Sequence, residues 1–396
     1  RHMTKFHGHT DREMLKLPPR YSASVDQLAS TPYRIRPSIL DTAQKLADEG
    51  YMWVKGDAGM FEYKIDSVPP SLAYDEADPK PYFIRKEVRD EIKKANARMR
   101  SIRMATETTL ATTREFANEP AIYFPVSCDW RGRLYYRTPH LSPQGNTFCK
   151  GVLEFTEGKA LGEDGLRYLY RFAASVWTAG DVDKAEFEAQ EEWAVDNLQL
   201  LIDIATNPLD HLDHWTKTDS PFEFLAACED IRDAHATGNP ETYVSHLPCR
   251  IDAVCSGVQH LAALTRDETV AASVCLTGQT RGTDYYTLIA READAMLASL
   301  TQAQWESWLP NRVDKDGNPT SKLYDYDAEQ MAKCVVDLGG LKRKDCKPIG
   351  MQRTYNVGER TIAQRWRDEP SRNWAQRIRD HYKAEGKEEQ GKLMQW

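Results

Sequence analysis

The chain has 396 residues, enough for two or three domains and a large hydrophobic core. Hydrophobic residues make up 41% and charged residues 28%, which is typical of globular proteins, and no apolar run approaches the ~20 residues that span a bilayer. The net charge of −8 argues against a surface that binds nucleic acid indiscriminately.

Charge is unevenly distributed along the chain. Basic residues concentrate in Arg85–Arg103 and Lys342–Arg367, and acidic residues in Glu186–Glu192 and around Asp203–Asp233. An acidic body with basic stripes predicts a protein that holds nucleic acid along one groove.

Cysteine and histidine usage does not point to a structural metal site. The eight cysteines include no Cys-x-x-Cys pair, so we expect reduced and mostly buried thiols of a cytosolic protein. His211 and His214 could meet as metal ligands on one helix face, but the isolated pair favours a solvated surface turn.

The first part of the sequence predicts an arm followed by two helices. Residues 1–35 are polar with little periodicity, so we expect an extended arm, whose Arg1–Met3 stretch is typical of a tag remnant. Apolar spacing predicts a helix over 37–50 and a long, very basic helix over 82–116. The second helix is either solvated or lies against a polyanion.

Short strands and turns are predicted next. Residues 121–124 are expected to form an apolar strand. Asp129–Tyr136 alternates apolar and polar side chains across a glycine, which predicts a β-hairpin or a bent strand. A Ser-Pro-Gln-Gly-Asn turn at 142–146 precedes a predicted strand over 152–155.

The middle of the chain is predicted to be helical over 164–202, with a break at Gly180. The Ser-Pro-Phe-Glu sequence that follows later is a helix-start signature. Ser220 is expected to be the N-cap and Glu223 to complete a capping box, for a helix that ends near Ala236.

Beyond that helix, a strand over 242–252, broken at Pro248, is predicted to deliver Asp252 just before a turn at Gly257. Helices are predicted over 258–264 and over 283–300.

The most informative stretch lies at 343–355. Arg343, Lys347, Met351 and Tyr355 stand four residues apart, so on a helix they form one stripe. The two cations suit a triphosphate, and the flat tyrosine ring suits a base and its sugar. An ordinary basic surface helix is the alternative.

Pro348 leaves the start of this helix open. Proline is poor in a helix interior but good in the first turn. The helix therefore either includes Arg343, or begins near Pro348 and leaves Arg343 on the preceding turn.

Three groups of residues, in order, resemble motifs of the single-subunit, phage-type RNA polymerases, the relatives of the mitochondrial enzyme. They are a DxxGR-like region with Asp129–Arg133, Pro143–Asn146 and Lys150-Gly151, a motif A-like stretch Asp252–His260, and the motif B-like residues Arg343, Lys347 and Tyr355. The resemblance covers roughly residues 33–396.

The resemblance implies a helix-rich α+β fold with right-hand polymerase architecture. A thumb-like helical region is expected over 36–118, a palm over 119–268 and part of the fingers over 269–396. The hand would be incomplete without a partner chain.

The resemblance also implies phosphoryl transfer assisted by two Mg²⁺ ions. Asp252 would bind metal through its carboxylate, and Ala253, where the family has glycine, through its backbone carbonyl. Arg343 and Lys347 would bind the triphosphate, and Lys347 would also protonate the leaving pyrophosphate.

Further roles follow from the same resemblance. Tyr355 would help to select ribonucleotides. Tyr286 resembles a tyrosine of the fingers, although a core position is an equally good interpretation. Arg133 and Lys150 would contact template and hybrid phosphates, with Asp129 orienting Arg133.

One departure concerns the second catalytic aspartate, which the family carries in an HDxxG hairpin. No His of this sequence is followed by Asp. We therefore expect the larger subunit of a split, heterodimeric phage RNA polymerase, whose partner supplies that aspartate in the cytoplasm of an infected bacterium.

The expected ligands are ribonucleoside triphosphates, the RNA product and a DNA template that is single-stranded or already opened, because the family's promoter-reading domain has no counterpart in the sequence. An accessory single-stranded-DNA-binding factor is a plausible further partner. Two alternatives stay open: a non-catalytic nucleic-acid-binding protein that keeps the fold, and a DNA polymerase of the same superfamily. The joint presence of Asp252, Lys347 and Tyr355 favours catalysis.

Overall fold

The structure is a computed structural model. It describes residues 19–53, 60–68, 74–129, 132–177, 179–250, 254–277, 285–299, 340–354, 357–358 and 361. The chain divides into two compact units, Arg1–Arg250 and Ile251–Trp396, which are taken in turn.

The described part of the first unit is built mainly from helices. The helices are α1 (Pro19–Ala29), α2 (Pro37–Asp48), α3 (Lys80–Glu115), α4 (Thr147–Val152), α5 (Gly162–Val176), α6 (Phe187–Asp196), α7 (Leu198–Thr206), α8 (Leu212–Trp215) and α9 (Pro221–Ala236). The strands are β1 (Tyr33–Ile35), β2 (Tyr51–Trp53), β3 (Met60–Glu62), β4 (Val126–Cys128), β5 (Leu134–Tyr136), β6 (Leu153–Phe155), β7 (Lys159–Ala160) and β8 (Val244–Ser245).

Helices predicted from apolar periodicity are confirmed. Helix α2 has proline in its first turn and buries Ile39, Leu40, Ala43 and Leu46 along one face. The long basic helix is observed as α3, and the stretch predicted as helical over 164–202 contains α5, α6 and α7.

The N-terminal arm was predicted incorrectly in part. Residues 1–18 lie outside the described residues, but α1 and β1 occupy much of the rest of the arm. Tyr33 and Ile35 of β1 are buried, so this segment belongs to the core and is not an extended linker.

Helix α9 lies at the centre of the first unit. It is buried from Pro221 through Ile231 and packs against α4, α5 and α7. Phe222 at its start contacts Trp53, Phe148 and Trp215, with ring centroids 4.8–5.7 Å apart. Burial of each such aromatic side chain contributes about 1.5–3 kcal/mol, so this cluster holds α4 and α9 together.

A buried ion cluster joins β1, β6 and α9. The Arg36 guanidinium donates to Glu154 at 2.9 Å, to Glu229 at 3.3 Å and to Asp230 at 2.6 Å. Burial raises the pKa of Glu229, while the charge of Arg36 and the hydroxyl of Ser38 oppose that rise. Arg36 therefore meets three carboxylates inside the unit, one of which, Glu154, also pairs with Arg34.

The strands of the described chain form four antiparallel pairs, each of two strands: β1 with β6, β2 with β3, β4 with β5 and β7 with β8. The predicted hairpin is confirmed as the β4–β5 pair, with Val126 opposite Tyr136.

Three strand predictions need correction. The predicted strand over 121–124 is a single bridge between Ile122 and Tyr33. The strand predicted over 152–155 begins one residue later, because α4 occupies the preceding turn. The strand predicted over 242–252 is only Val244–Ser245 in the described residues, because a 3-10 turn precedes it and Pro248 cannot donate a backbone hydrogen bond.

The described part of the second unit is helical, with α10 (Ser256–Thr265), α11 (Glu268–Ser273), α12 (Tyr285–Ser299) and α13 (Arg343–Thr354). The helix predicted over 283–300 is confirmed. Gly257 was predicted incorrectly as a turn, because it lies in the first turn of α10. The turn is made instead by Cys255, which has a left-handed backbone with φ of 51°.

Thiol burial was overestimated from the sequence. Seven cysteines fall in the described chain and none forms a disulfide, but only Cys149, Cys228 and Cys346 are buried. Within the same residues no group of three or more metal-binding side chains occurs, and no helix is long and apolar enough to cross a membrane.

Candidate active site

The β4–β5 hairpin presents Arg133 at its tip. The Asp129 carboxylate accepts from the Arg133 amide at 2.9 Å, and the Asp129 amide donates to the Arg133 carbonyl at 2.8 Å. Gly132, with φ of 83°, completes the tight turn, a conformation that strains other residues. Asp129 thus fixes Arg133 through its backbone, and the arginine side chain is exposed.

Gln144, which the sequence analysis did not single out, locks the following turn onto this hairpin. Its side-chain oxygen accepts from the Tyr136 amide and its nitrogen donates to the Leu134 carbonyl, both at 3.1 Å. In the sequence, a glutamine inside a turn was the feature that could have indicated this contact, because its side-chain amide can bond nearby backbone groups.

Helix α4 places Lys150. Asn146 caps this helix by accepting from the Cys149 amide, which leaves Lys150 in the last turn. A Cβ atom on Gly151 would lie 2.4 Å from the Phe222 carbonyl oxygen, so only glycine lets α4 approach the start of α9. Lys150 Nζ therefore lies 3.5 Å from the Glu223 carboxylate.

Glu223 does not form the predicted capping box. Ser220 makes no side-chain capping bond, and the buried Glu223 carboxylate accepts from Arg250 Nε at 2.8 Å. The capping prediction was wrong because the local Ser-Pro-Phe-Glu pattern carried no information about Lys150 and Arg250, which are distant in the chain.

In the second unit, α13 begins at Arg343, which excludes a start near Pro348. Asp345 accepts from the backbone amide of Lys342, the residue just before the helix, and this half of a capping box fixes its first turn. Pro348 lies inside the helix. Arg343, Lys347 and Met351 consequently share one stripe, as the four-residue spacing predicts.

Tyr286 braces the start of that stripe. Its ring is buried, its hydroxyl donates to Cys255 Sγ at 3.1 Å, and the Arg343 guanidinium carbon lies 5.5 Å from the ring centroid. A Cβ on Gly350 would lie 3.1 Å from the ring, so the ring packs closely against α13. Tyr286 therefore occupies a core position, and its direct contact with a nucleotide stays a prediction.

Three predicted site residues, Asp252, Ala253 and Tyr355, lie outside the described residues. Lys347 is exposed on α13. The donors predicted for magnesium, a carboxylate and a backbone carbonyl, are the oxygen ligands that this ion prefers.

The basic helix α3 exposes many cationic side chains along its length. Its exposed side chains include Lys86, Lys93, Lys94, Arg98, Arg100 and Arg103. The buried Asn96 side chain bonds both backbone groups of Asp66 and so holds the 60–68 segment against the helix.

A helix-rich chain that carries the half-buried Arg343 and the exposed Lys347 on one face of α13, and the exposed Arg133 at a hairpin tip, offers cations that could meet a polyanion. Residues 159–385 match the DNA-dependent RNA polymerase family. This match spans more than half of the sequence, and the chain belongs to that family.

Plant organellar polymerases are among the similar proteins. The chain is 34% identical over 279 residues to the chloroplastic DNA-directed RNA polymerase 3B of Nicotiana tabacum, covering 69% of this chain and 27% of the relative. It is 32% identical over 331 residues to the chloroplastic/mitochondrial DNA-directed RNA polymerase 2 of Arabidopsis thaliana, covering 79% and 32%. The chain thus spans about a quarter to a third of these relatives.

Proposed function

We propose that this chain is the catalytic part of a DNA-directed RNA polymerase that adds ribonucleotides to an RNA end under template direction. The observation that carries the proposal is α13. Its capped first turn puts Arg343 and Lys347 one turn apart on one face, and Tyr286 braces Arg343. Two cations at this spacing suit the charge of a triphosphate.

In the proposed reaction, the RNA 3′ hydroxyl gives its proton to water and its oxygen attacks the α-phosphorus, while the bond from that phosphorus to the bridging oxygen of the β-phosphate breaks and pyrophosphate leaves. Lys347 neutralises the leaving pyrophosphate and gives it a proton from Nζ. Asp252, with the Ala253 carbonyl, would hold Mg²⁺, which when bound would stabilise the negative charge of the transition state. Tyr355 would accept the ribose and reject deoxyribose.

For the nucleic acid, the proposed contacts are Arg133, held by Asp129, and Lys150. Both cations belong to the first unit, where the thumb-like and most of the palm-like residues are proposed to lie. The fingers-like part is proposed to include α12 and α13. Templates would be single-stranded or already opened DNA, and an accessory single-strand-binding factor would assist.

The second metal-binding aspartate is proposed to come from another polypeptide with an HDxxG hairpin. Support comes from the sequence, in which no His is followed by Asp. The assignment to a split phage enzyme in the cytoplasm of an infected bacterium rests on the motif resemblance.

Primer extension tests the proposal. The chain alone should not extend an RNA primer on single-stranded DNA, and adding a candidate HDxxG-bearing subunit should start extension. Extension by the chain alone would contradict the partner proposal. Hybrid binding without extension under both conditions would favour a non-catalytic binding protein.

The same assay separates RNA from DNA synthesis. Tyr355→Phe should narrow the preference for ribonucleotides, because a sugar hydroxyl would lose its hydrogen-bond partner. An unchanged ratio of ribonucleotide to deoxyribonucleotide incorporation would remove the proposed role of this hydroxyl. A wild-type enzyme that prefers deoxyribonucleotides would identify a DNA polymerase.

A further inference from the structure

A three-residue ion cluster in the first unit has an unusual charge balance. It consists of Lys150 from the end of α4, Glu223 from the first turn of α9, and Arg250. The Glu223 side chain is only 4% exposed, whereas those of Lys150 and Arg250 are 31% and 32% exposed. One buried carboxylate therefore holds two cations that both reach the surface.

The cluster around Arg36 shows what a purely structural arrangement looks like in the same unit. There one guanidinium, 10% exposed, meets three carboxylates, so the cation is enclosed and outnumbered. Around Glu223 the ratio is reversed and the excess charge is positive. An exposed pair of cations with one shared counter-charge retains electrostatic attraction for an external anion.

The donor geometry suits an oxyanion. The contact with Glu223 uses Arg250 Nε, and a guanidinium carries four further N–H donors on its terminal nitrogens. Lys150 Nζ stands 3.5 Å from the carboxylate and carries three donors. Both side chains are thus able to donate to one phosphate while Glu223 sets their separation.

The charge of Arg250 also influences the base of the hairpin that carries Arg133. Burial and a hydrogen bond with Tyr136 raise the pKa of Tyr33, whereas the positive charge of Arg250 acts in the opposite direction. The Tyr33 and Tyr136 hydroxyls are 3.3 Å apart, and Tyr136 ends strand β5. The positive charge of Arg250 therefore acts on the tyrosine pair at the base of the hairpin.

We propose that Arg250 and Lys150 together bind one backbone phosphate of the template–RNA hybrid, and that Glu223 is the positioning residue that holds them for it. This inference rests on the proposed function and deepens it. It adds Arg250 as a phosphate-binding residue and gives Glu223 a role that its sequence context did not suggest.

The test identifies which phosphate of the hybrid each residue contacts. Short template–RNA hybrids, each with one neutral methylphosphonate in place of a phosphate, are titrated with the complete polymerase assembly. One position should weaken wild-type binding about tenfold, the usual worth of a charge-assisted hydrogen bond. Arg250→Gln should remove most of that penalty at the same position, and Lys150→Gln should act at the same position.

Arg232→Gln is the matched control. Its side chain is also 32% exposed and carries the same charge, but it pairs with Asp233 and with the Ala205 carbonyl. This variant should keep the full penalty at every substituted position. The slope of log affinity against log salt should fall by about one in Arg250→Gln and stay unchanged in the control.

Glu223→Gln tests positioning. This variant keeps both cations, so the slope of log affinity against log salt should persist. The penalty at the single methylphosphonate position that Arg250 and Lys150 share should become smaller. An unchanged penalty in this variant would overturn the role of Glu223.

The wild type could bind the hybrid and yet show no methylphosphonate position whose penalty disappears in Arg250→Gln and Lys150→Gln. That result would overturn the inference and leave the proposed function intact. A wild-type assembly that does not bind the hybrid would contradict both.

Discussion

Arg36 pairs with three buried carboxylates, whereas its neighbour Arg34 pairs with one. Its guanidinium binds Glu154, Glu229, Asp230 and the Ala226 carbonyl, and it joins β1 to α9. Such a cluster stabilises the fold only as long as every member is paired, because isolated buried charges are costly.

Arg36→Met should therefore lower the free energy of unfolding by about 3–5 kcal/mol, since three buried carboxylates lose their shared cation. Urea unfolding measures the loss. Arg34→Met is the control, because Arg34 pairs with Glu154 alone and its side chain is 39% exposed, so it should cost about 1 kcal/mol or less. Equal losses in both variants would contradict a special role for Arg36.

Glu229 makes the stability of the first unit depend on pH in a direction that can be predicted. Burial raises its folded-state pKa above the ordinary value of 4.5, so the folded state binds this proton more tightly than the unfolded state. Its contribution to stability is complete below 4.5 and is lost as pH rises through the raised pKa.

Glu229→Gln lacks this titration and keeps a side chain that can bond Ser38. The stability of the wild type minus that of the variant should fall as the pH rises from about 4 to about 7. Paired urea titrations across that range would show it. A difference that is constant, or that grows with pH, would contradict the assignment.

At the scale of elements, local signals predicted helices well and strands poorly. The spacing of Ile39, Ala43 and Leu46 was enough to predict α2, because the backbone hydrogen bonds of a helix form within one continuous segment of the chain. The segment 121–124 has the composition of a strand, yet only Ile122 finds a partner, and that partner is distant in the chain. Pro348 is compatible with either start of α13, and the start is decided by Asp345, which accepts from the Lys342 amide.

The α4–α9 contact yields a prediction at this scale. Gly151→Ala would place a methyl group 2.4 Å from the backbone oxygen of Phe222. We expect a loss of about 1–3 kcal/mol from overpacking, which outweighs the helix-propensity gain of up to about 1 kcal/mol.

Gly358→Ala is the control, because no atom of the described residues lies within 4 Å of a Cβ placed there. The midpoints of urea unfolding should separate the two variants. If Gly151→Ala matched the control, the close approach of α4 to α9 would not be required.

At the scale of the whole molecule, the sequence motifs led to the polymerase family that residues 159–385 match. The same motifs named Asp252, Ala253 and Tyr355, whose geometry lies outside the described residues. They missed Glu223 and Arg250, because a motif identifies residues by their chain neighbours and this pair is made by folding. Thumb, palm and fingers, like the partner subunit, stay proposals.

The central claim, catalysis by this chain, depends on Asp252. In the complete assembly, Asp252→Asn should lower the rate of ribonucleotide addition by about 10³-fold or more, because losing a metal ligand removes several kcal/mol of transition-state stabilisation.

Single-turnover extension of a prebound RNA primer is the measurement, since it separates chemistry from binding. Asp267→Asn is the matched control, because Asp267 caps α11 and asparagine caps a helix equally well, so its rate should stay near the wild-type value. We expect a well-folded Asp252→Asn assembly that binds the hybrid and does not extend it. Near-normal extension by that assembly would show that Asp252 is not a catalytic residue.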